Sequence, residues 1–209
     1  MKTKVNTKSM VLMGFLAALT AVFSFTPIGS VPIGPLVITL NIIPVALAAI
    51  ACGPIGGAIM GAVFGTLSFL QCIGIGIPSG MGAILFEISP FLAFVQRFVP
   101  RVLDGFLLGF IFRFISKRTS PYISCFVTGL LSAILNTAFF MTALIALFGK
   151  TDYVQGLMDE KGTHNVFLFI CMFVGVNALC EMAASSVVSG AVGSALFKAK
   201  LIDMPSGNK

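Results

Sequence analysis

Charge is scarce in this chain: Asp, Glu, Lys and Arg make up 10% of its 209 residues, where soluble domains carry about 25%. Tryptophan is absent and histidine occurs once, at His164. A lone histidine excludes the His-rich metal sites of membrane proteases and oxidases. It also has no evident partner for a Ser/His/Asp arrangement, so no catalytic residue is assigned and no enzyme is expected. There is no G-x-x-x-x-G-K-S/T run, so the chain does not itself hydrolyse nucleotide. The cysteines (Cys52, Cys72, Cys125, Cys171 and Cys180) stand singly in apolar segments, without C-x-x-C or Cys/His ligand spacing. That excludes a metal site and a disulfide framework, and they are expected to act as small buried hydrophobes. No internal repeat, linker or low-complexity stretch interrupts residues 1–209, so one domain is expected.

What is present is apolar. Hydrophobic residues make up 57% of the chain, and the mean hydropathy is +1.06. A water-soluble fold of this size leaves too much surface exposed to hide them, so lipid is the solvent. The expected fold is an all-α integral membrane protein with spans at about 9–26, 37–52, 54–72, 91–116, 121–148 and 165–197. Pro27, Pro32 and Pro35 with Gly29 and Gly34 break the chain after the first span. Gly53-Pro54 supplies a tight turn between the second and third, and Pro100 is expected to kink the fourth. Lys2, Lys4 and Lys8 before the apolar run Met10–Phe25 resemble a signal peptide. Thr26-Pro27-Ile28-Gly29 is a poor cleavage site, however, and a retained first helix is expected.

Net charge is +6, but the basic residues sit at span ends, which argues for membrane orientation and against nucleic acid. With the N-terminus inside, the cytoplasmic segments hold Lys2, Lys4, Lys8, Arg113, Lys117, Arg118, Lys198, Lys200 and Lys209. The outer loops hold only Lys150 and Lys161. Both termini are therefore expected in the cytoplasm, and the chain in the plasma membrane of a bacterial cell.

Ionisable groups in lipid cost about 2.5–3.5 kcal/mol each on insertion scales and call for a reason. Glu87, Gln96, Arg97, Arg101 and Asp104 surround the fourth span, with Asn41, Gln71, Asn136, Asn177 and Glu181 on others. One reading is structural: an Arg101–Asp104 ion pair, Arg97 reaching to the outer interface, and Asn side chains bonding between helices. The other is that the arginines, four apart on one helix face, hold an anion in an outer cavity, since guanidinium matches carboxylate and phosphate. Arg97, Arg101, Gln71, Asn136, Asn177 and Glu181 are the candidate ligand contacts. Phe23, Phe25, Phe64, Phe69 and Phe140 are candidates for stacking on the ligand.

Several stretches carry a family resemblance: Ala17-x-x-x-Ala21, Ile42-Ile43-Pro44-Val45, Gly53-Pro54-Ile55-Gly56-Gly57-Ala58 and Gly61-Ala62-Val63-Phe64-Gly65. To these add Ser89-Pro90 and Val99-Pro100-Arg101-Val102-Leu103-Asp104-Gly105. Together with six spans they make the chain resemble the substrate-binding S components of energy-coupling factor vitamin transporters, over essentially its whole length. The resemblance implies an outward-facing pocket formed by spans four to six and loops one (27–38), three (73–89) and five (149–164). It implies docking through Ala17 and Ala21 on a transmembrane coupling subunit, and two cytoplasmic ATPase subunits that hydrolyse the ATP; no cofactor is implied for this chain. Within the family it most resembles pantothenate-type members, and pantothenate is a small anion. Folate, riboflavin or biotin are alternatives, as is a stand-alone carrier or channel for a small anion, though no inverted repeat is evident.

Overall fold

The computed structural model describes residues 7–33, 36–160, 162 and 165–202. Lys2, Lys4, Lys161, His164 and Lys209 lie outside the described residues. The chain runs α1 (Thr7–Phe25), β1 (Ser30–Ile33), β2 (Leu36–Thr39), α2 (Ile42–Leu70), a 3-10 turn (Gln71–Ile73), α3 (Gly80–Ile88), α4 (Pro90–Ile115), α5 (Pro121–Phe148), α6 (Asp152–Glu160) and α7 (Val166–Lys198). Three helices begin on a serine that caps a free backbone N–H: Ser79 accepts from Gly82, Ser89 from Leu92 and Ser120 from Ile123. Behind two of these caps stand Pro90 and Pro121, in the first turn where a missing N–H is harmless.

The helix α2 is folded in two. Gly53 sits at φ 70° and ψ −160°, a conformation open to glycine and strained for other residues, and Pro54 starts the second arm. Asn41 and Gln71 flank the two arms, yet both reach Ser24: Asn41 Nδ2 donates to its Oγ at 3.0 Å and Gln71 Nε2 to its carbonyl at 2.9 Å. A straight helix would hold those two residues about 45 Å apart. The two arms are therefore antiparallel, and Gly53-Pro54 is the turn between them. At the turn, the Arg113 guanidinium lies against Gly53, where the carbonyls that end the first arm favour a cation.

Among the described residues, four helices are long and apolar enough to cross a membrane: Thr7–Phe25, the folded Ile42–Ile73, Pro121–Phe148 and Asn177–Lys198. The 26 residues of α4 carry Arg97, Arg101 and Asp104 in their middle, which lowers its hydropathy without shortening it. Pro100 lies inside this one helix. Three departures from the sequence reading follow. Residues 37–39, placed in the second span, belong to β2, which pairs antiparallel with β1 in the register Ser30↔Thr39, so helix begins only at Ile42. Loops three and five contain the helices α3 and α6. Cys72 and Cys125 are buried and Cys52 half-buried, but Cys180, on α7, is exposed; the Cys171 side chain lies outside the described residues.

Helices α2 and α4 meet backbone to backbone. A Cβ on Gly57 would overlap the Gly105 carbonyl oxygen, and a Cβ on Gly105 would overlap that of Gly57. Gly61 abuts the Arg101 carbonyl, and Gly109 abuts Pro54. Without a hydrophobic drive between helices in lipid, such close approach is what holds them. The described ends of the chain lie together: Leu201 shares a groove with Thr7, Leu12 and Phe15, and Ile202 is buried in the same core cluster as Leu16. The polar cavity is at the other end of α1, beyond Ser24.

Replacing Gly61 by alanine forces a methyl group into the Arg101 carbonyl. The variant is expected to lose about 1–3 kcal/mol, the usual cost of overpacking. Gly14→Ala, with nothing within 4 Å of the new carbon, serves as control and should melt at or above wild type. Thermal unfolding of both variants in detergent checks the pair.

Candidate ligand-binding site

Residues from every layer converge on one cavity enclosing about 680 Å³ of empty space, its open mouth included. The hairpin contributes Ser30 and Thr39, the second arm of α2 Phe64 and Ser68, and the 3-10 turn Gln71. Ser79 and Met81 come from the loop-three segment, Arg97 and Arg101 from α4, Asn136, Thr137 and Phe140 from α5, and Val174, Asn177, Ala178 and Glu181 from α7. All six side chains singled out as ligand contacts line it. Of the five stacking candidates, Phe64 and Phe140 line it, whereas Phe69 packs on Phe86 and Phe94, at 5.8 and 5.3 Å between ring centres. Phe25 is exposed, Phe23 half-buried, and neither lines the cavity.

The arginines define one pole. They sit one turn apart on α4 and are 7% and 5% exposed. Phe140 lies beneath both guanidinium groups, 5.1 Å from Arg97 and 4.6 Å from Arg101, and Phe64 is 5.1 Å from Arg101. The aromatic faces compensate part of the buried charge. Arg97 Nη2 donates to Ser79 Oγ at 3.1 Å. Arg97 Nε, Arg101 Nε and Arg101 Nη1 are buried without a hydrogen-bond partner. The expected Arg101–Asp104 pair is not made as a hydrogen bond: Asp104 Oδ1 is itself buried without a partner, and Asp104 does not line the cavity. Asp104 follows Arg101 by about one turn of α4 and leaves Arg101 Nε and Nη1 without a hydrogen-bond partner.

The opposite wall is α7. Asn177 and Glu181 are four apart and share a face. Glu181 Oε1 accepts the backbone N–H of Thr39 at 2.9 Å, tying the hairpin to α7. Two segments thus border the cavity with a bond to a charged lining residue: the hairpin to Glu181 and the loop-three segment to Arg97, besides the bonds of Ser30 to Phe23 and of Ile77 to Ser24. Near the rim, α6 buries Val154 and Met158 in the cluster that contains Phe140 and Met141. Burial pushes the Tyr153 phenol up, while the positive charge of Arg97 pulls it down.

Charge on the lining is two guanidinium groups against one carboxylate. A buried cation without a counter-ion is costly, and an anion with paired acceptor oxygens fits the open N–H groups. Among the described residues no group of three or more His, Cys, Asp or Glu is placed to hold a metal ion. A family model described as ECF transporter, substrate-specific component, matches residues 8–192. The chain belongs to that family. It is a transport protein, the part of an ECF transporter that selects the substrate. No curated protein matches it.

Ser79 and Thr39 escaped the sequence reading. Thr39 acts through its backbone N–H, which no side chain announces. Ser79 stands before Gly80-Met81-Gly82 as a helix-capping serine does, a signal that identifies a cap and says nothing of a second bond to Arg97. The candidate docking residues Ala17 and Ala21 are half-buried, Ala17 against the core cluster, while Gly14 and Ala18 on the same helix are exposed.

Arg101→Met removes a buried charge and keeps most of the side-chain volume. In the absence of ligand this variant should melt no lower than wild type, because buried charges are often replaced by apolar groups without loss. A drop of several degrees in differential scanning fluorimetry would mean that Arg101 holds the fold rather than a ligand.

Proposed function

We propose that this chain captures a small organic carboxylate, with pantothenate the first candidate, for an ATP-driven importer whose coupling subunit and two ATPases are separate chains. The observation that carries the proposal is the pair Arg97 and Arg101, buried on one face of α4 with unpartnered N–H groups beside an open cavity. The cavity lies at the end of α1 away from Arg113, Lys117, Arg118, Lys198 and Lys200. With those cations in the cytoplasm, six helical arms cross the membrane and the cavity opens outward. Ala17 and Ala21 are proposed to lie against the coupling subunit, bordering the exposed Gly14 and Ala18, where small residues permit close helix approach.

Native mass spectrometry and calorimetry of the purified protein test the substrate. Pantothenate should bind, and Arg101→Ala should weaken binding by about 1.5–3 kcal/mol, the scale of a hydrogen bond to a charged group. Unchanged affinity in a folded variant rejects the role of Arg101. Liposomes holding this chain alone should show no flux; flux without partners would establish a self-sufficient carrier or channel instead. Ala17→Leu or Ala21→Leu should abolish uptake by the assembled transporter and spare binding, whereas lost binding would show that the face packs internally.

A further inference from the structure

We infer that the ligand is bipolar, a monoanion whose far end carries a neutral hydrogen-bond donor, a hydroxyl, and that Glu181 reads that donor. The inference rests on the capture of a carboxylate proposed above. A carboxylate side chain has two oxygens and only accepts. At Glu181 one oxygen takes the Thr39 N–H, and among the described residues the other makes no hydrogen bond. Glu181 is buried and lines the cavity, so its remaining oxygen needs a donor in the loaded state. It repels a carboxylate, which fixes the ligand's orientation: anion towards Arg97 and Arg101, donor towards α7.

Charge balance selects the kind of donor. The lining itself sums to one positive charge, from two guanidinium groups and one carboxylate, with the Asp104 carboxyl buried behind it near Arg101. A monoanion with a neutral donor balances the charge of the lining. A zwitterion with an ammonium group brings no net charge to offset it. The lining also offers Phe64, Phe140, Val174 and Ala178 to a short carbon segment, set among Ser68, Gln71, Asn136 and Thr137. The same carboxylate therefore holds the hairpin through one oxygen and sorts ligands with the other, so specificity and the position of the hairpin share one side chain.

The test compares two probes by calorimetry: pantothenate, and N-(3,3-dimethylbutanoyl)-β-alanine, which keeps the carboxylate, amide and carbon skeleton but lacks both hydroxyls. Wild type should prefer pantothenate by roughly 10- to 100-fold, the range for a hydrogen bond to a charged acceptor. Glu181→Gln can still accept from Thr39 but offers the ligand only a neutral partner, so the preference should shrink to under about 10-fold. Equal affinity of wild type for both probes overturns the donor inference while leaving carboxylate capture intact. Binding of neither removes both. An unchanged preference in Glu181→Gln overturns the role of Glu181, and if that variant fails to fold, the wild-type comparison decides alone.

Discussion

The contact of α2 with α4, glycine backbone against backbone carbonyl, is the constraint on which the rest of the molecule depends. Gly57 against Gly105 and Gly61 against Arg101 bring the two helices closer than any side chain would permit. That approach fixes the height and rotation of α4. Arg97 and Arg101 are carried on the face next to the one that touches α2, so their guanidinium groups point over Phe64 and Phe140 instead of into lipid. Any residue larger than glycine at 57 or 61 would push the helix pair apart and displace the cationic pole with it. The small residues of these helices thus shape the cavity as much as the arginines they position.

Around this rigid pair the cavity is closed by parts held more lightly. The hairpin is joined to α7 by the Thr39–Glu181 bond, and the loop-three segment to α4 by the Ser79–Arg97 bond. Each flap is fastened to a charged residue that also faces the cavity. In the proposed function an entering anion would meet Arg97 beside its bond to Ser79, and an entering donor would meet the Glu181 oxygen that Thr39 leaves free. The same side chains would then touch both ligand and flap.

Much of this was legible in the sequence because lipid leaves few alternatives. Apolar runs, punctuated by Pro and Gly, marked the helices. Ser89-Pro90 and the Gly53-Pro54 turn marked where two of them begin or reverse, since the chemistry of caps and of positive φ is local. The six polar candidates converged on one cavity because ionisable and amide groups in a bundle avoid lipid and find one another. The β-hairpin did not show: Val31 and Ile38 look like any apolar run, and the strand was read into the second span. The fate of Asp104 did not show either, because i, i+3 spacing to Arg101 permits a pair without requiring one. Nor did the sequence separate the half-buried Ala17 from the exposed Ala18, one residue apart on α1, since both are small and apolar.

The turn at Gly53 also bears on how the chain is assembled in the bilayer. The first arm of α2, Ile42 to Cys52, rises about 16 Å, roughly half the hydrocarbon thickness. Residues Ile42 to Ile50 are all buried, so the arm is wrapped by protein and presents no lipid-facing surface of its own. A segment that short cannot partition into lipid as an independent span. It emerges from the ribosome well before α4 and α5, which cover it. The protein surroundings that bury it are therefore complete only once the later helices are in place.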